Sequence, residues 1–149
     1  MGGFAVMAAE VEDALAVIVA EEIADTGVPS CVGYPSGGPA EEQVWVEGGF
    51  DLVFMRRTSG GRSRAETARL GVKVLITRAA DEVAELRDRA LVLVGHIEDA
   101  VRDHETLDGL VERLWVESTK ASEGVLEDGR RQFGATVTVA YEVNVARSA

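Results

Sequence analysis

Phe133-Gly134-Ala135-Thr136-Val137-Thr138-Val139-Ala140-Tyr141-Glu142-Val143-Asn144-Val145 alternates without a break. Phe133, Ala135, Val137, Val139, Tyr141, Val143 and Val145 fall on one side; Gly134, Thr136, Thr138, Ala140, Glu142 and Asn144 fall on the other. Strand side chains repeat with a period of two, so this is a single strand with an apolar face and a mixed, mostly polar face. It spans roughly 40 Å at the usual rise per residue, whereas a typical strand has about five or six residues. Such a strand backs a sheet and has length to spare for contacts beyond its own domain. Nothing in it offers catalytic chemistry, which points to contact rather than turnover.

The residues upstream supply its partners. Glu105-Thr106-Leu107-Asp108-Gly109 is a turn, after which Leu110 to about Ser118 reads as a strand that pairs with Arg131–Ala146 as a hairpin. Lys120–Gly129 is longer than a tight turn needs and is expected to be a loop, of the kind that often binds. Before the turn, Val83, Leu86, Ala90, Leu93 or Val94, Ile97 and Val101 recur at three and four residues. That spacing predicts a core-facing helix, capped by Thr77 and running to about Asp103. Leu70, Val72, Val74 and Ile76 alternate and predict a strand from Arg69 to Thr77. Residues 56–68, rich in Arg, Ser and Gly, show no apolar period and are expected to be an exposed loop.

Nearer the start, Val11, Leu15, Ile18, Val19 and Ile23 mark a helix from about Ala8 to Asp25, stopped by Gly27 with Pro29 beyond. Glu10, Glu12 and Asp13 would then sit in its first turns, where the helix dipole favours acids. Cys31–Tyr34 predicts a short strand, 35–39 a Pro/Gly loop, Gln43–Glu47 a strand, and Phe50–Met55 a strand or hairpin arm. The whole predicts one α+β domain over residues 1–149, a mainly antiparallel sheet with two helices on one face.

Composition narrows the function. The chain has 149 residues, enough for a core of its own, and a formal net charge of −11. That balance argues against generic nucleic-acid or membrane-surface binding, and the apolar run Ala14–Ala20 is too short to span a bilayer. The first 55 residues hold ten acidic side chains and no Lys or Arg. Arg56, Arg57, Arg62, Arg64 and Arg69 follow at once, opposed only by Glu66. An acidic half beside a basic segment suits a head-to-tail assembly; a solvated helix beside a solvated loop explains it as well. The arginines would contact an acidic partner subunit, or phosphates of DNA passing nearby.

The chain offers no constellation for catalysis, cofactor or metal. Ser59-Gly60-Gly61-Arg62-Ser63 lacks the lysine and spacing of a phosphate-binding loop. His96 and His104 stand eight apart, wider than the i, i+4 pair of a helical metal site, and a solvated helix end accounts for them. Cys31, the only cysteine, permits no internal disulfide, fits a reducing compartment and is expected in the core. Glu21-Glu22 and Glu41-Glu42 are adjacent, so their side chains diverge. Trp45 and Trp115 are expected as core residues, with an interface anchor as the other reading.

Gln43-Val44-Trp45-Val46-Glu47 after a Pro/Gly loop, an Arg-rich segment leading into a strand, His104-Glu105-Thr106-Leu107-Asp108-Gly109-Leu110-Val111 after a long helix, and Glu127-Asp128-Gly129-Arg130 before a long alternating strand occur in that order. The succession resembles the tail-terminator, or tail-completion, proteins of long-tailed bacteriophages and covers most of the chain. Members more often carry Gly where Asp108 stands. The resemblance implies a ring-forming, hexameric structural protein of the virion, made in the host cytoplasm and placed at the head–tail junction. Such a ring caps the tail tube, stops its polymerisation and meets the neck or head-completion proteins, with no catalytic role. The candidate interface residues are Arg56, Arg57, Arg62, Arg64 and Arg69, with Glu142 and Asn144 on the polar face of the closing strand. A neck or head–tail connector protein, or a small oligomeric α+β ligand-binding protein, are the competing readings.

Overall fold

Two strands of 16 residues each form the spine of the molecule. The computed structural model describes residues 4–33, 41–47, 51–57, 63–78, 83–125 and 129–146. In chain order these give helix α1 (Phe4–Glu22), a short 3-10 turn (Ala24–Thr26), strands β1 (Ser30–Val32), β2 (Glu42–Val46), β3 (Asp51–Arg57) and β4 (Ser63–Arg78), helix α2 (Val83–Asp103), and strands β5 (Arg113–Val125) and β6 (Arg131–Ala146). One sheet has the order β1-β2-β4-β6-β5, with β3 also on β4. β4 and β6 pair antiparallel from Ser63↔Ala146 to Arg78↔Arg131. The opposite edge of β4 carries β2 along Val72–Ile76 and β3 along Arg64–Arg69, so β2 and β3 lie end to end. The pairing is antiparallel except for β1 on β2. This is the α+β architecture the periodicities predict.

The apolar alternation of β6 explains the core. Phe133, Ala135, Val137, Val139, Tyr141 and Val143 are buried together with Leu70, Val72, Val74 and Ile76 of β4 and Val44 and Val46 of β2. The helices close this face: α1 contributes Val11, Leu15, Ile18, Val19 and Ile23, and α2 contributes Leu86, Ala90, Leu93, Ile97 and Val101. Burying each of the Val, Leu, Ile and Phe side chains among them stabilises the fold by about 1.5–3 kcal/mol. The α2 stripe agrees with the sequence reading, widened by Val94 and Ala100.

Several boundaries differ from the sequence reading. α1 begins at Phe4, so Glu10, Glu12 and Asp13 stand in mid-helix and do not meet its positive end. Its α-helical part ends at Glu22, short of the expected Asp25, and the 3-10 turn carries the chain on to Gly27, which adopts φ 78° with its N–H donating to the Ala24 carbonyl at 3.2 Å, while the Thr26 hydroxyl donates to the Ile23 carbonyl at 2.5 Å. Ser63–Ala68 is not loop but the first part of β4, and Arg56 and Arg57 end β3. Both edges of β4 are bonded there, so the ladder satisfies the backbone without an apolar pattern. Lys120–Val125 likewise continues β5, bonded to β6 through Val125↔Arg131. Thr77 is not next to α2, which begins at Val83; it pairs with Gln132 inside the sheet. The expected loop at 35–39 lies outside the described residues.

Candidate assembly surface

Two faces of the sheet have different fates. The face opposite the helices is open among the described residues, and residues of successive strands line up across it in register: Trp45 opposite Lys73, Lys73 opposite Thr136, and Thr136 opposite Lys120. A trough of about 630 Å³ lies over this row, lined also by Leu75 and Ser122. Trp45 and Trp115 are half-buried on this open face, which corrects their expected place in the core. Strand parity explains it, since Leu114 takes the core side and leaves Trp115 outward. The Arg113 guanidinium stacks over Trp115, 4.3 Å from the ring centroid. Cys31 is exposed at the short β1 edge, not buried.

The open face carries its charges in pairs. Arg69 donates to Glu117 through Nη2 at 2.8 Å, with Nε 2.5 Å from the other carboxylate oxygen. Lys73 Nζ is 3.3 Å from Glu47. Each pair is partly solvated and is worth about 0–1 kcal/mol. Arg69 is therefore held within its own chain, and it stands apart from the other candidate arginines. Arg57 and Arg64 occupy opposite positions of the β3–β4 ladder, with Arg56 beside Arg57. Arg62 lies outside the described residues. Glu142 faces Thr67 on one side and Arg113 on the other, and its backbone carbonyl accepts from the Glu112 N–H at 2.8 Å. Asn144 pairs with Ala65 at the far end of the ladder. The described candidate residues thus fall into two groups: Arg56, Arg57, Arg64 and Asn144 where the last pairs of the β3–β4–β6 ladders lie, and Arg69 and Glu142 nearer the middle of the sheet.

No protein-family model matches the sequence, and no curated protein matches it. Among solved structures, one chain of the virion of a native gene transfer agent particle aligns with 81% of this chain and 84% of its own length, with a TM-score of 0.51 and 17% sequence identity. The two chains share a fold.

The helix side gathers polar groups as well. Among the described residues, donor atoms of Glu22, His96 and Asp99 lie within 4.8 Å of one another. His96 Nδ1 of α2 is 3.7 Å from Glu22 of α1, and Asp99 is engaged by Arg102 within α2, so the group reads as a polar contact between the helices beside an ion pair inside one of them. His104 does not join them, for its Nδ1 lies 2.9 Å from the Ala100 carbonyl. Elsewhere Arg89 bridges α2 to β2, bonding Glu42 and donating to the Thr26 carbonyl at 3.3 Å. Sequence reasoning missed the Arg113–Trp115 stack and the Lys73–Lys120 row. The Arg-x-Trp spacing in a strand was the available signal.

Proposed function

We propose that this chain is a structural component of a phage-like virion, and that it acts as a ring capping the tail tube, stopping its growth and joining the tail to the neck or head. The observation that carries the reading is the fold shared, over most of both chains, with a component of a gene transfer agent virion. The tail-terminator pattern of the sequence supports the finer role, as does a sheet whose strands are far longer than its helices cover. Its work is contact with further copies, with a tail-tube protein and with a neck or head-completion protein, and it needs no active site. The virion, at the head–tail junction, is its place.

Purified protein viewed in negative stain is expected to form closed rings. In an assembling system, removal of the chain leaves overlong tails that do not join heads; normal, attached tails in its absence overturn the reading. Replacing Arg56, Arg57, Arg62 and Arg64 by Ser tests the arginine-rich stretch, which meets the tube or a neighbouring copy in this reading. Ring assembly and tail attachment unchanged by that replacement would remove those residues from the interface.

A further inference from the structure

The ring reading leaves open where one copy meets the next, and the sheet itself supplies an answer that rests on that reading. We propose that the outer edge of β5, from Ser118 to Val125, pairs antiparallel with β3, Asp51–Arg57, of a second copy of this chain. Among the described residues β5 bonds only to β6 and β3 only to β4, so each leaves one row of backbone N–H and C=O groups without a strand. These rows lie on opposite sides of the four-stranded run β3-β4-β6-β5. Every neighbour in that run is antiparallel, so β3 and β5 point in opposite directions. Copies related by rotation therefore bring β5 of one beside β3 of the next in antiparallel order. The contact is heterologous, the kind that closes into a ring.

Both segments have the character of edges meant to be covered. β3 places Leu52, Val53, Phe54 and Met55 in a row, with no proline, on a sheet edge. An uncovered apolar edge of that kind invites aggregation, and natural proteins blunt or occupy it. β5 shifts register between Val116 and Ser118 and then runs on to Val125. None of residues 118–125 is buried, and Val125 is 73% exposed, so this half of the strand adds nothing to the core. A strand maintained at that length without core contacts is accounted for by a partner on its edge, where main-chain bonds give affinity.

The fold also sets the register. In the numbering of β4, β3 occupies positions 64–69, whereas β5, read through β6, occupies positions 67–78. β1 stands in the column beyond β2, opposite Val44–Val46. A strand laid on β3 meets β1 at one end, so the far half of the neighbour's β5 is the part that fits. Successive copies are then staggered by roughly 25 Å along the strands. Stagger between neighbours is what lets tilted strands close on a circle.

The test is disulfide trapping in a Cys31→Ser background, with Phe54→Cys combined in turn with Thr119→Cys, Ala121→Cys and Glu123→Cys, and Val17→Cys as the distant control. At least one β5 position is expected to give an interchain ladder that ends at the ring size, while the control gives none. Hydrogen exchange of the unaltered chain is the second readout, with amides of 51–57 and 118–125 slowed in the ring relative to dilute protein. Rings that show neither cross-linking nor slowed exchange overturn the edge pairing and leave the ring reading standing. Protein that stays monomeric at every concentration overturns both.

Discussion

Leu107, Asp108 and Gly109 follow one another with φ of 47°, 58° and 87°, a run of left-handed residues between α2 and β5. Only Gly adopts that region freely, and Asp tolerates it better than most. The turn is held by the Val111 N–H on the Thr106 carbonyl at 3.1 Å and the Gly109 N–H on the Thr106 hydroxyl at 3.3 Å, while Leu107 is buried at 6% exposure. Asp108→Val is expected to destabilise by about 1–2 kcal/mol, with Asp108→Gly near neutral, both read from urea midpoints at unchanged m-value. Gly71 differs in kind: a Cβ there would come within 2.7 Å of the Glu47 carboxylate, the far end of a flexible side chain. Gly71→Ala should displace Glu47 from Lys73 and cost less than about 1 kcal/mol. Glu12 is held above its ordinary 4.5, first by burial and then by Asp13. A carboxyl raised in the folded state favours folding when protonated, and that contribution is lost as pH rises through the folded value. Glu12→Gln is therefore expected to flatten the stability profile on the alkaline side of 4.5, with no loss at neutral pH; a loss there would mean that its charge is used.

At the scale of elements, Arg89 is the link that sequence could not supply, since Glu42 and the Thr26 carbonyl are 47 and 63 residues away from it. Arg89→Lys keeps the charge but loses the fork, so thermal unfolding should show most of the loss of Arg89→Met, about 1–2 kcal/mol in each case. The elements with a core face were legible from periodicity alone: β6 by its unbroken alternation, α2 by its three-and-four spacing. What periodicity missed were strand segments whose residues do not alternate between apolar and polar. Ser63–Ala68 and Lys120–Val125 carry no apolar signal because their order comes from ladder bonds to β3, β4 and β6, which are nonlocal. The same lack misplaced the tryptophans, for Trp115 is apolar by type yet lies on the open face by parity. Of the candidate interface residues, sequence could group the arginines in one stretch but not separate Arg69, which Glu117 holds from β5.

For the whole molecule, charge and the proposed edge pairing would act in opposite directions. Copies carrying −11 each repel, whereas a contact made of backbone bonds and apolar side chains is indifferent to salt. Screening over about 8 Å at physiological ionic strength should therefore strengthen self-association, seen as a rise in sedimentation coefficient with added salt. Weakening by salt would instead assign the contact to the arginine-rich stretch and the acidic helix α1. The ladder between β4 and β6 has a further consequence, mechanical rather than chemical. Both strands are bonded along all 16 of their residues with no shift of register. Tension along the strand axis loads that ladder in shear, so its bonds must yield together and not one after another as in a peeled zipper. The long strands thus give the sheet one stiff direction, along which it resists extension far better than across it.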